Sequence, residues 1–89
     1  MQKTKFKEIG KMTHNLKILP CYFQAVVSGD KKFEIRNDSD RGFQKGDLVM
    51  LNEWSEGKFT GNSVMVEITY VTGFEQKQNF VVFGFFIIE

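Results

Sequence analysis

The alternation of apolar and polar residues along the chain predicts five strands and one early helix. The clearest strand is SVMVEITYV at 63–71, in which apolar and polar side chains alternate. The other predicted strands cover 14–19, 32–36, 47–54 and 79–89. Pro20 followed by apolar residues at helical spacing predicts a short helix over 20–28, which Gly29 ends. This order predicts a small α+β domain whose sheet curls into a barrel, with one or two short helices.

Two segments near the end of the chain carry more specific expectations. Gly, Ser and Asn residues in SEGKFTGN, at 55–62, predict a hairpin connection between two strands. The nearly continuous apolar run at 79–89 predicts a strand that is buried on both faces. Gly84 inside this run indicates a bulge or a close approach of another backbone.

Composition narrows the class of protein. The 89 residues are 42% hydrophobic, which predicts one domain with a core of its own. Cys21 is the one cysteine, so an internal disulfide is excluded. No signal peptide or membrane segment is recognisable, and we expect a cytoplasmic protein that does not bind membranes. The sequence leaves the oligomeric state open, with a monomer favoured.

Charge is distributed unevenly between the start of the chain and the rest. Residues 1–11 hold four lysines and one glutamate, a charge of +3, so the net charge of +1 leaves −2 for the remainder. We therefore predict a basic tail at 1–12 and a folded domain at 13–89, although Met12 could be a second translation start. Because the domain is not strongly basic, any contact with RNA is expected at a local site that the tail assists.

A short charged segment, SGDKKFEIRN, contains the candidate site. In a strand, Lys32, Glu34 and Arg36 share one face, and Phe33 and Ile35 point to the other. The charged row is either an ordinary solvated face or the lining of a concave site. The sequence alone leaves both alternatives open.

Lys31, Glu34 and Arg36 each have a chemical role available to them. The Lys31 ammonium can bind a phosphate or carbonyl oxygen, or act as a base if it loses its proton. Glu34 and Arg36 are spaced to form an ion pair that leaves guanidinium donors for a ligand. As exposed charges, Lys31 and Arg36 are expected to contribute little to stability.

Other side chains are weaker candidates. Trp54, Tyr22 and Tyr70 could stack on a base, although such residues more often belong to a core. His14 and Cys21 lack further clustered ligands, so no metal site is expected. His14 is retained only as a possible cleft residue.

The stretch Gly-Asp-Lys-Lys-Phe-Glu-Ile-Arg at 29–36 matches the G-x-K-x-x-E-x-R signature of ASCH domains, a branch of the PUA-like β-barrels. The flanking segments HNLKILPCYFQAVVSG and FQKGDLVMLNEW also resemble that family, and the resemblance covers about 14–88. It implies a small barrel with a cleft that binds RNA or a modified nucleoside, without a cofactor.

The resemblance also implies particular site residues. The ligand-binding set would be Gly29, Lys31, Lys32, Glu34 and Arg36.

An alternative function is suggested by ASCH-type proteins that resemble amidohydrolases acting on acylated cytidine, with a Lys, a Thr and a Glu as catalytic set. Lys31 matches the lysine, Glu34 occupies the threonine position, and the remaining glutamate would be Glu67 or Glu75. A further alternative is a protein-interaction domain whose motif is structural.

Overall fold

The structure, a computed structural model, describes residues 12–88 and consists of five strands and one helix in that range. The elements are β1 (Thr13–Ile18), α1 (Pro20–Val27), β2 (Phe33–Asn37), β3 (Leu48–Ser55), β4 (Lys58–Thr72) and β5 (Phe80–Ile87). The predicted number of strands and the early helix are confirmed. The basic tail predicted at 1–12 lies outside the described residues, apart from Met12.

The strands form one curled sheet in the order β1-β3-β4-β5-β2. β1 runs parallel to β3, and the other neighbouring strands are antiparallel. The sheet is therefore barrel-like, as expected, but the fold is mostly β with one helix where an α+β domain was predicted, and the described sheet is a half-barrel with β1 and β2 as its two edges. The chain passes from one edge to the other through α1.

The core lies on the inner face of this curled sheet. Alternate residues of β1, β3 and β4 are buried, which explains why the alternating pattern located these strands. Phe23 and Val26 of α1 are also buried. The other buried apolar residues are Leu16, Ile18, Phe43, Val49, Leu51, Val64, Val66, Ile68, Phe83 and Phe85.

A hairpin joins β3 to β4 within 55–62, as predicted, but the predicted extent of its connection is wrong. The turn between β3 and β4 consists of Glu56 and Gly57, whose φ angles are 50° and 83°. Positive φ at both central residues is typical of the tight type I′ hairpin turn. Residues 58–63 continue β4 and are exposed, which accounts for their polar, turn-like composition.

The prediction that the last strand is buried on both faces is also wrong. Phe83 and Phe85 are buried, whereas Phe86 and Ile87 are 48% and 40% exposed. The inner face of β5 covers the core, and the outer face of this open sheet lies towards solvent. Gly84 pairs with both Phe33 and Tyr70.

The close approach of another backbone, one of the two alternatives predicted for Gly84, is not observed, because the backbone oxygen of Lys32 would lie 3.8 Å from a Cβ atom placed there. A Cβ atom on this glycine would lie 3.4 Å from Thr69 Oγ1, at the edge of ordinary contact. The register shift lies on the facing strand, between Ile68 and Tyr70 of β4. The bulge is therefore opposite the glycine, on the neighbouring strand.

A buried polar pair attaches the start of β1 to the start of β3. His14 Nε2 lies 2.8 Å from Asp47 Oδ2, and the two residues are 4% and 1% exposed. Asp47 also accepts hydrogen bonds from the backbone N–H groups of Met12 and Gln44, at 3.2 and 3.0 Å. His14, considered above as a possible cleft residue, lies in the core beside Phe43.

Candidate functional site

A cavity of about 470 Å³ lies where the half-barrel is open. Its walls come from the end of β1, the start of α1 and the edge strand β2. The lining residues are Lys17, Ile18, Leu19, Tyr22, Lys31, Phe33, Glu34, Ile35 and Arg36. This volume is within the range of pockets that bind small molecules.

Glu34 forms the centre of the charged cluster in this cavity. The residue is 4% exposed, and its carboxylate accepts hydrogen bonds from Lys31 Nζ at Oε2 and from Arg36 Nε at Oε1, the latter at 2.9 Å. Of the charged row, Glu34 and Arg36 line the cavity, whereas Lys32 is exposed and does not. Phe33 and Ile35, on the opposite side of the strand, are 45% and 50% exposed.

This orientation follows from the place of β2 in the sheet. β2 is an edge strand that pairs only with β5 among the described strands. The inward side chains of β2 therefore face an open cavity and not a closed apolar core. In this cavity they contact other charged side chains. A buried carboxylate is stable there because both of its oxygens accept charged hydrogen bonds.

Arg36 joins the two edges of the sheet. Its Nη2 donates to the backbone carbonyl of Lys17 in β1 at 2.8 Å, while its Nε donates to Glu34. A side chain thus makes the contact that a backbone ladder would make in a closed barrel. The expectation that Arg36 is dispensable for stability is therefore revised.

Lys31 is held at the mouth of the cavity. Its Nζ donates to Glu34 and also to the backbone carbonyl of Phe33, at 2.6 Å. The rings of Tyr22 and Phe33 have their centroids 5.6 and 4.9 Å from this nitrogen. An ammonium has three donors, so one remains for a ligand.

The other residues of the predicted binding set lie elsewhere. Gly29, with φ of 90°, ends α1, and both Gly29 and Lys32 line a separate cavity beside Phe86, to whose lining Lys31 also contributes. Lys32 precedes β2, and its carbonyl accepts a hydrogen bond from Phe85 N at 3.1 Å. Lys31, Glu34 and Arg36 thus line the first cavity, whereas Gly29 and Lys32 do not.

The two glutamates considered for a hydrolase reaction are outside the cavity lining. Glu67 lies on β4 between the buried residues Val66 and Ile68, and so points to the outer face. Glu75 lies in the loop after β4 with φ of 58°. Neither glutamate is near enough to line the cavity with Lys31.

The three candidate stacking residues lie in different parts of the domain, and one of them lines the cavity. Tyr22 lines the cavity and is 51% exposed. Trp54 packs edge-on against Phe59, with ring centroids 4.7 Å apart and Lys17 Nζ 3.9 Å from its ring. Tyr70 is 66% exposed on β4 and does not line the cavity.

Sequence reasoning missed the contribution of the segment from Lys17 to Leu19. Lys17 acts through its backbone carbonyl, a role that no side-chain pattern indicates. Phe33 and Ile35 were also missed as lining residues, because apolar residues in a strand usually point to the core.

Another buried carboxylate, Glu53 of β3, was not considered from the sequence either. It accepts hydrogen bonds from Thr60 Oγ1 and Asn62 Nδ2, at 2.7 and 3.0 Å. These partners come from the neighbouring strand and satisfy the carboxylate within the sheet.

Two surveys of the described residues bear on other classes of function. Within residues 12–88, no group of three or more His, Cys, Asp or Glu side chains is positioned to hold a metal ion. The helix found in this range, α1, is too short to cross a membrane.

Fold and site together define a small, mostly β domain with a charged cleft at the open edge of its sheet. Residues 13–85 match the family described as a domain of unknown function, DUF3850, and the chain belongs to that family. It is also similar to the "uncharacterized 12.9 kDa protein in GpA 3′region" of Escherichia phage P2, with 42% identity over 59 residues. The matched region covers 66% of this chain and 53% of the phage protein, so the chain spans about half the length of this curated relative.

Proposed function

We propose that the cavity binds a nucleoside-type ligand, either a modified nucleoside or a nucleotide of RNA, in a domain of the ASCH type within the PUA-like barrels. The observation that carries this proposal is the cluster of Lys31, Glu34 and Arg36. These residues come from the G-x-K-x-x-E-x-R stretch and meet on one wall of a cavity with two aromatic rings.

The cluster offers hydrogen-bond donors to a ligand and no free carboxylate. Both oxygens of Glu34 are occupied, whereas Lys31 and Arg36 retain N–H groups beyond those they use within the protein. A ligand that fits such a wall presents acceptors, such as the carbonyl oxygens of a base or the oxygens of a phosphate. Glu34 is a positioning residue in this proposal, because it holds the two cations in place.

The apolar part of the cavity suits a flat ring. Tyr22 and Phe33 are both about half exposed, and each lies within 6 Å of Lys31 Nζ by its ring centroid. A base that stacks on one of these rings can therefore also reach the ammonium. Stacking of a base on an aromatic side chain contributes about 1–3 kcal/mol.

Hydrolysis of an acylated nucleoside in the same cavity is a less well supported function. A base at Lys31 would have to give up the ammonium form that donates to both Glu34 and the Phe33 carbonyl. Glu34 accepts two hydrogen bonds from cations, an arrangement that favours an ion pair over activation of a nucleophile. Binding without catalysis therefore agrees better with these contacts.

Two neighbouring lysines provide a matched test of binding. Isothermal titration with the common ribonucleosides and acetylated cytidine identifies the ligand that binds most tightly. Lys31→Met should weaken that binding at least about tenfold, because a charged hydrogen bond contributes about 1.5–3 kcal/mol. Lys32→Met should leave it unchanged, since Lys32 lines the separate cavity. Equal affinities of the two variants would contradict the proposed site.

Two exposed tyrosines provide the corresponding test of stacking. Tyr22→Ala should lower the affinity by a factor of about five or more, because the stacking surface is removed. Tyr70→Ala is the control, since Tyr70 is similarly exposed but lies outside the cavity lining. If none of the nucleosides binds the wild-type protein, the proposed function is wrong.

A further inference from the structure

A second cavity, of about 450 Å³, adjoins the first at Arg36. It lies between β1 and the loop that follows β2. Its lining residues are Leu16, Arg36, Asn37, Ser39, Asp40, Arg41 and Phe43. Arg36 lines both cavities, and the second cavity is a groove beside β1 at the open edge of the sheet.

Both arginines of this groove contact the free edge of β1. Arg36 Nη2 donates to the carbonyl of Lys17 at 2.8 Å, and Arg41 Nη1 lies 3.5 Å from the carbonyl of Asn15. Carbonyls two residues apart in a strand point the same way and lie about 6.6 Å apart. The two guanidinium groups are therefore neighbours along the edge, and each contacts a carbonyl there.

The loop that carries Arg41 is fixed by its own polar contacts. Asn37 Oδ1 accepts hydrogen bonds from Ser39 N and Ser39 Oγ, at 2.8 and 2.7 Å. Asp38 Oδ1 accepts a hydrogen bond from Phe43 N at 3.0 Å. Asp40 is the carboxylate among the residues that line the second cavity, and Arg36 and Arg41 are the two cations. These three side chains together carry a net charge of +1.

The unused donors of the two arginines determine what the second cavity can bind. A guanidinium has five N–H donors and no acceptor, and its geometry matches the oxygens of a phosphate. Arg36 uses Nε and Nη2 within the protein, and Arg41 contacts a single carbonyl. Donors of both residues therefore remain available to an anionic group between them.

We propose that the second cavity binds the phosphate next to the nucleoside that occupies the first cavity. This inference rests on the proposed function, because the nucleoside positions the phosphate beside Arg36. The ligand class is then a nucleoside phosphate, either a free nucleotide or a unit of an RNA strand. Arg36 contacts both parts of the ligand, and Arg41 contacts the phosphate.

The test compares ligands with and without phosphate on the full-length protein and two variants. Isothermal titration with cytidine, cytidine 5′-monophosphate, cytidine 3′-monophosphate and the dinucleotide CpC is carried out at low and physiological salt. One of the phosphorylated ligands should bind about tenfold more tightly than cytidine, as expected for a charge-assisted contact. This gain should shrink as salt increases.

Arg41→Gln should remove most of the gain from phosphate and change the affinity for cytidine less than about twofold. Lys45→Gln is the control, because Lys45 is an exposed cation that lines neither cavity. A dinucleotide that binds more tightly than either monophosphate would support an RNA strand as the source, and equal affinities would support a free nucleotide.

The outcomes separate this inference from the proposed function. If cytidine or another nucleoside binds but phosphate adds no affinity, or if Arg41→Gln and Lys45→Gln behave alike, the phosphate site is wrong and the nucleoside site stands. If neither nucleosides nor nucleotides bind, both are wrong.

Discussion

Replacement of Glu34 by glutamine should destabilise the domain strongly, although the two side chains have nearly the same shape. The carboxylate is 4% exposed and accepts hydrogen bonds from two cations, Lys31 and Arg36. Glu34→Gln removes the negative charge and turns one acceptor oxygen into an N–H donor that faces another donor. Hydrogen bonds to charged groups contribute about 1.5–3 kcal/mol each.

The expected cost is smaller than the sum of two such bonds. The side chains of Lys31 and Arg36 are 17% and 24% exposed, so water can replace part of what they lose. We therefore expect Glu34→Gln to lower the free energy of unfolding by about 2–3 kcal/mol. For a domain of this size, that corresponds to a fall in Tm of roughly 10–20 °C.

Urea unfolding followed by circular dichroism measures this cost. Glu67→Gln is the matched control, because Glu67 lies on the outer face of β4, and its effect should stay within about 0.5 kcal/mol. A double-mutant cycle with Lys31→Met should give a coupling energy of about 1 kcal/mol or more between positions 31 and 34. A Glu34→Gln domain as stable as the Glu67→Gln control would refute the argument that this carboxylate organises the site.

Three further predictions concern the core, the hairpin and catalysis. Asp47→Asn should lower the free energy of unfolding, measured with urea, by about 2–3 kcal/mol, because the amide nitrogen of asparagine cannot accept the hydrogen bonds that both oxygens of Asp47 accept. Asp30→Asn is the control and should have little effect, because Asp30 is exposed. Gly57→Ala should cost about 1–2 kcal/mol because its φ is 83°, whereas Gly73→Ala, without a positive φ, should cost less; thermal unfolding compares them. Chromatography should detect no deacylation of acetylated cytidine at neutral pH, and turnover that disappears in Lys31→Met would make the protein an enzyme.

Local sequence patterns were sufficient to predict most of the strands and the helix of the fold. Pro20 and the helical spacing that follows it located α1, because both signals act within a few residues. The hairpin was located, but its turn was predicted too long because Glu56 adopts a φ of 50°, a conformation in which Gly, Asn or Asp is usual. The exposed extension of β4 was missed because strands outside the core need no apolar alternation.

The charged side chains of the site were predictable, but their surroundings were not. Strand spacing placed Glu34 and Arg36 on one face together with Lys32, and the resemblance added Lys31; Lys31, Glu34 and Arg36 do meet, without Lys32. Which face of β2 turns inward depends on its place at the sheet edge, a property of the whole topology. The contact of Arg36 with the Lys17 carbonyl depends on how far the two edges lie apart, and it leaves no mark in the sequence.

Amide-resolved NMR during titration with cytidine 5′-monophosphate tests the central claim most directly. We expect saturable shift changes at Lys31, at residues 33–36, at Tyr22 and at the side-chain Nε–H of Arg36. Signals of Phe86 and Ile87, which line the separate cavity, should not move. Changes centred on Phe86 and Ile87, with the Arg36 signal unaltered at saturation, would contradict the account.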